Sequence, residues 1–172
     1  MELIDKIRNV QDFPKPGIGF KDITTLLRDG AAFRQAVVQM AQLYQDQQLD
    51  GIVGIESRGF IFAAALAYAL GVGMIPVRKP GKLPFTTLSA TFALEYGTDA
   101  VEIHVDALKE DDRILIVDDL LATGGTVAAT AHLVEQLGGR VVGCCFLIEL
   151  DFLHARDHLA GYRIDSLIHF DA

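Results

Sequence analysis

Residues 114–126, ILIVDDLLATGGT, set an apolar run, two adjacent carboxylates and a small-residue loop in one unbroken stretch. Ile114, Leu115, Ile116 and Val117 read as a strand buried on both faces, the pattern of a parallel sheet covered by helices, with a turn expected at its carboxyl end. Asp118 and Asp119 then fall at the strand tip, where acceptor-only side chains take hydrogen bonds from hydroxyl groups and repel phosphate. The side chains of Ala122, Thr123, Gly124, Gly125 and Thr126 are small enough for successive backbone N–H groups to close around a phosphate at a helix start. Acids at one end and amides at the other suit a ribose 5-phosphate. A Walker-type phosphate loop is a poorer reading because no Gly-Lys-Ser/Thr closes the run, and a dinucleotide fingerprint fails too.

A second apolar strand runs into a tight turn at residues 54–59, Gly-Ile-Glu-Ser-Arg-Gly. Arg58 stands where a bidentate donor and helix N-terminal amides could meet a pyrophosphate together. The plainer alternative, a surface arginine at a helix start, sets a cation against the helix dipole. Residues 78–82, Arg-Lys-Pro-Gly-Lys, crowd three cations into five positions at the carboxyl end of another strand, where open sheets bind ligands. Alone, such a cluster reads as a solvated loop; beside the two other loops it reads as a site for a polyanion.

The run at 114–126 resembles the signature of the phosphoribosyltransferases, which grips the ribose and 5-phosphate of phosphoribosyl pyrophosphate (PRPP). That resemblance implies ribose hydroxyls on Asp118 and Asp119, the 5-phosphate in the turn at 122–126, and pyrophosphate on Arg58, Lys79 and Lys82. It also implies a cis peptide at Glu56–Ser57, a magnesium ion bound through substrate and water with no dedicated protein ligands, and a homodimer. Within the family the adenine enzymes are the nearest in pattern. An aspartate that usually faces 6-oxopurines is replaced by Ala122. The segment 13–24, FPKPGIGFKDIT, resembles their N-terminal hood, with Phe20 stacking on the base and main-chain groups of Gly19 and Lys21 reading its edge. Residues 94–97, Leu-Glu-Tyr-Gly, resemble their catalytic loop, giving Glu95 proton handling and Tyr96 a covering role. Phe20 as a core plug and Glu95 as a solvated turn carboxylate stand beside these readings. So do a uracil or xanthine enzyme and a regulator that only senses PRPP.

The elements that must position these residues follow the alternation of an α/β doubly wound chain. A helix is expected at 31–48, a strand at 51–55, an Ala-rich buried helix at 60–70 and a strand at 74–77. Runs at 86–94 and 100–105 flank a polar turn and read as a hairpin, expected to be flexible. A helix at 126–137, a strand at 140–147, a short helix at 151–159 and a strand at 164–168 complete the pattern. The family fold implied is the type I phosphoribosyltransferase fold: one domain over 1–172, a mostly parallel twisted sheet flanked by helices at 31–172, and a hood at 1–30 opening on a short amphipathic helix at 1–9.

Composition fits a cytoplasmic enzyme of small molecules. With 51% hydrophobic residues in 172, one sizeable core is available. A net charge of −8, from 23 acidic and 15 basic residues, disfavours nucleic-acid and anionic-membrane binding. The uncharged stretch 59–77 is broken by Gly71, Gly73 and Pro76, against a membrane span. Cys144 and Cys145, adjacent on a strand, read as buried thiols facing opposite ways. His154 and His158 lack a completing ligand set and read as a solvated helix face, and the last two dozen residues are expected to add little.

Overall fold

The strand sequences at 51–55 and 114–117 carry apolar side chains on both faces, so they must lie at the centre of a covered sheet. The computed structural model, which describes residues 1–94 and 96–172, puts them there. Among the described residues the elements are β1 (Arg8–Val10), β2 (Phe20–Asp22), α1 (Thr24–Leu27), α2 (Gly30–Tyr44), β3 (Gly51–Ile55), α3 (Gly59–Leu70), β4 (Gly73–Val77), β5 (Thr87–Ala93), β6 (Thr98–His104), β7 (Arg113–Leu121), α4 (Gly125–Gln136), β8 (Arg140–Leu150) and β9 (Ile164–Phe170). The main sheet has the order β4-β3-β7-β8-β9, and every neighbouring pair is parallel.

Period-two alternation divides the core. Val53, Ile114, Ile116, Cys144 and Phe146 pack on the face shared with α4 and the β5–β6 hairpin. Ile52, Leu115, Val117, Cys145 and Leu147 pack on the face shared with α2 and α3. Each of the large apolar side chains buried here is worth about 1.5–3 kcal/mol relative to exposure. The two cysteines are thus free thiols on opposite faces, and burial pushes the Cys144 thiol up to about 12. Helix α2 starts where Asp29 accepts from the amides of Ala31 and Ala32, both at 3.2 Å, an N-cap that satisfies two otherwise unpaired donors. Residues 59–77 divide into α3 and β4, and among the described residues no helix is long and apolar enough to cross a membrane.

Three expectations are corrected. The N-terminus is a 3-10 turn, Leu3–Lys6, followed by β1, because residues 8–10 find backbone partners in residues 20–22 of β2 and leave the helical path. Strand β7 does not stop at Val117. It runs through both acids to Leu121 because β8 continues beside it, pairing Asp118 with Phe146 and Leu120 with Ile148. The short helix at 151–159 is two 3-10 turns, Asp151–Leu153 and Ala155–His158, divided by His154 at φ 54°.

The order of the main sheet creates the crevice. From β3 the chain crosses to β4 on one side, whereas β7 crosses to β8 on the other, so the loops after β3 and β7 diverge. In open α/β sheets this switch point at the strands' carboxyl ends is where ligands bind. The two strongest loops of the sequence, at 56–58 and 118–126, both emerge there.

Candidate active site

The loop at 122–126, expected to hold a phosphate, is built by its glycines. Gly124 takes φ 92°, a conformation closed to most side chains, and turns the chain into α4. The Gly124 carbonyl accepts the first helical bond, from Ala128 N at 2.9 Å, and helix geometry leaves the preceding amides without intrahelical partners. They border a cavity of about 80 Å³ lined by Asp118, Leu120, Leu121 and residues 122–127. The hairpin closes one side of this loop: a Cβ on Gly125 would stand 3.2 Å from the Phe92 ring.

Asp118 and Asp119 lie just before this cavity. Asp119 is buried, 4% exposed, and its amide donates to Asp118 Oδ1 at 2.8 Å. Burial, and then the neighbouring Asp119 charge, push the Asp118 carboxyl well above the usual carboxylate range. Arg58 Nε approaches Asp119 Oδ2 to 2.8 Å as an ion pair, but its N–H is not aimed along the contact, and Oδ2 is buried without a hydrogen-bond donor. A buried acceptor of this kind suits a hydroxyl donor or a hydrated cation. The loops touch because residue 59 has no side chain: a Cβ there would lie 2.7 Å from Asp118 Oδ1.

The hood reaches the same place. The Arg58 guanidinium carbon lies 5.0 Å from the Phe20 ring centroid, and Phe13 meets Phe20 edge-on at 5.2 Å. Lys21 departs the other way, its Nζ 4.2 Å from the Phe170 ring and 3.3 Å from Asn9 Oδ1, while Gly19 adjoins Asn9. Phe20, Arg58, Asp118, Asp119 and the phosphate loop therefore form one continuous patch.

The basic loop is less free than its composition suggests. Glu56 is its hub: Lys79 N donates to Oε1 at 2.6 Å, Lys82 Nζ donates to Oε2 at 2.6 Å, and Arg78 Nε lies 3.4 Å from Oε1. Burial alone would raise the Glu56 carboxyl, but these cations and the amide hold it below the usual carboxylate range. Lys79 Nζ is also paired with Asp99 at the start of β6, tying the basic loop to the hairpin. The Glu56–Ser57 peptide is cis, as the resemblance implied.

Tyr96 is 88% exposed, and Glu95 lies outside the described residues. One contributor was missed: His158, exposed as expected but on a 3-10 turn, has its Nδ1 3.2 Å from Thr123 O in the phosphate loop. No local spacing signals that contact, which joins positions 35 apart.

Among the described residues the metal-type cluster that forms is Glu149, Asp151 and His169, and its buried Glu149 is already held by Arg156 and Ser166. A pair of carboxylates with an open acceptor suits magnesium instead, which keeps its waters and takes one or two acids plus substrate oxygens.

Comparison with known proteins gives the same reading from outside. A family model described as a phosphoribosyl transferase domain matches residues 23–165. An adenine phosphoribosyltransferase of Clostridium perfringens is 60% identical over 171 residues, 99% of each chain. The crystal structure of an adenine phosphoribosyltransferase from Thermoanaerobacter pseudethanolicus is 56% identical, covers 98% of both chains and superposes with a TM-score of 0.96. The Saccharomyces cerevisiae enzyme, solved with D-2,5-dideoxy-2,5-imino-altritol 1,6-bisphosphate and adenine, is 39% identical over 96% of each chain with a TM-score of 0.90. The switch-point sheet is thus the type I fold of those enzymes, and the chain belongs to the phosphoribosyltransferase family.

Proposed function

We propose that the protein transfers the 5-phosphoribosyl group of PRPP to adenine, releasing AMP and pyrophosphate in a purine salvage step. The observation that carries this reading is the continuity of Phe20, Arg58, Asp118–Asp119 and the phosphate loop at the sheet's switch point, in a chain 60% identical to an adenine enzyme. In the reaction, adenine N9 forms the bond to C1 of the ribose as the C1–oxygen bond to pyrophosphate breaks, and the leaving group takes that electron pair. The sugar passes through an oxocarbenium-like state, so positive charge develops at the ring while negative charge grows on the departing oxygen.

Each end of that separation has a protein group suited to it. The loop amides at 122–126 anchor the 5-phosphate, and Asp118 and Asp119 orient the hydroxyls and lie near the developing cation. Arg58, Lys79 and Lys82 receive the pyrophosphate, the lysines exchanging their present carboxylate partners for it. Asp118 and Asp119 would be the residues to accept from the waters of a magnesium ion brought by PRPP, which would supply charge neutralisation on the leaving group. Phe20 stacks on adenine, main-chain groups of Gly19 and Lys21 read the base edge, Glu95 handles the N9 proton and Tyr96 covers the reacting centre against water. Free thiols at Cys144 and Cys145 fit a cytoplasmic setting.

Incubation with PRPP, magnesium and each nucleobase in turn tests the assignment. AMP from adenine alone is expected. A nucleotide from another base would move the specificity within the family, and PRPP binding without turnover would favour a sensor. We also propose a homodimer, supported by the uncharged helix α3, which turns Ile61 and Tyr68 outward, the latter 92% exposed. Sedimentation should report a dimer for the native chain and a monomer for Tyr68→Glu; an unshifted Tyr68→Glu would remove this face from the contact.

A further inference from the structure

The 3-10 turn Ala155–His158 backs directly onto the phosphate loop. A Cβ on Gly124 would lie 3.3 Å from both Ala155 Cβ and Ala155 O, so turn and loop are in close contact. His158 Nδ1 lies 3.2 Å from Thr123 O, and since a carbonyl only accepts, Nδ1 carries the proton and donates. The turn is itself fixed from behind. Arg156 Nε and Nη2 donate to the two oxygens of Glu149 at 2.8 and 2.9 Å, and Ser166 Oγ on β9 donates to Glu149 Oε2 at 2.7 Å. Burial alone would raise the Glu149 carboxyl, yet hydrogen bonds from Arg156 and Ser166 hold it below the usual carboxylate range. Ala155 and Leu159, 2% and 1% exposed, seat the turn in the core. An unbroken chain of contacts therefore leads from Ser166 through Glu149 and Arg156 to the turn that carries His158.

We infer that His158 is a positioning residue for the substrate's 5-phosphate, acting through the Thr123–Gly124 peptide. A trans peptide is planar, with its C=O and N–H pointing in opposite directions. Holding the Thr123 carbonyl toward His158 turns the Gly124 N–H away from it, and Gly124 lines the loop cavity whereas His158 does not. The histidine thus keeps an anion-binding amide oriented before substrate arrives, an ordering the loop's small residues cannot supply.

This inference rests on the PRPP reading above, and its test separates the two. His158 is exposed, so His158→Ala should fold normally. Losing one neutral hydrogen bond should raise KM for PRPP about fivefold while kcat and KM for adenine stay near the native values. His158→Asn, whose Nδ2 can replace the ring donor, should restore KM. Binding of ribose 5-phosphate alone, followed by calorimetry, should weaken and recover in parallel. An unchanged KM for PRPP in His158→Ala, or equal defects in the alanine and asparagine variants, would overturn the positioning role while leaving the activity intact. A native enzyme that neither binds nor turns over PRPP would overturn both readings.

Discussion

Replacing Gly59 by alanine puts a methyl group where the loops after β3 and β7 meet. The new Cβ would lie 2.7 Å from Asp118 Oδ1, 3.1 Å from Asp118 Cα and 3.2 Å from Val117 O, against the 3.4 Å at which ordinary contact begins. Two of those three atoms are backbone, so the start of α3 and the tip of β7 must separate by several tenths of an ångström. Overpacking of this kind costs about 1–3 kcal/mol, a few degrees in Tm for a chain of this size. The larger effect falls on chemistry. Arg58 and Asp118 move apart along with their loops, and since a shift of about 1 Å can cost a hundredfold, kcat/KM should fall by about tenfold to a hundredfold. Steady-state AMP formation and a thermal melt read the two effects separately. Gly143→Ala is the control: its Cβ would meet Tyr44 Oη at 2.7 Å, an equal crowding three residues nearer the amino end of β8 than Phe146, the register partner of Asp118. Both variants should melt early, and Gly143→Ala alone should keep its kcat/KM. Native activity in Gly59→Ala, or an equal loss of activity in both, would refute the argument that loop spacing sets the rate.

Arg58→Ala should lower kcat/KM for PRPP by about tenfold to a thousandfold, as expected when one charged partner is removed from a site. Because that cation now favours ionised Asp118, its loss should also move the acid limb of the pH–rate profile upward, and an unmoved limb would disprove the coupling. Asp22 accepts from Thr24 Oγ1 and N at 2.7 and 2.9 Å and from Arg8 at 2.5 Å, which holds its carboxyl at about 2. A folded value below the unfolded one means that this stabilisation of the hood is complete above about pH 4 and is lost as the pH falls toward 2. An NMR titration placing Asp22 near 4 would contradict it. Asp99→Asn should free Lys79 from a screened surface pair, lowering KM for PRPP by no more than about fivefold, and a raised KM would show that the pair organises the loop instead.

The sequence carried what local chemistry decides. Ile114 to Val117 could only be a doubly covered strand, and a strand, a turn and a helix in immediate succession announced both ligand loops. What stayed hidden depended on partners distant in the chain. The end of β7 is settled by β8, whose Ile148 and Glu149 pair with Leu120 and Leu121, and nothing in the DDLL run reveals that extension. The amphipathic pattern of residues 1–9 gave way to pairing of Arg8 with Asp22 and Val10 with Phe20. The cations at 78–82 were legible as a cluster, but their counter-ions, Glu56 and Asp99, sit on other elements. His158 completes no ligand set in sequence, and its partner in space is a carbonyl, which no residue-type pattern can display.

The Phe20 ribbon is not a strand of the main sheet. It is a separate pair of short strands, clasped internally by Arg8 and Asp22 and joined to the rest at Phe170 and Arg58. On the proposed reading, sugar handling and base choice are therefore lodged in modules that share little backbone. Under the proposed assignment, a lineage could exchange its nucleobase by rewriting the ribbon while the phosphate cradle, embedded in the sheet, stays as it is.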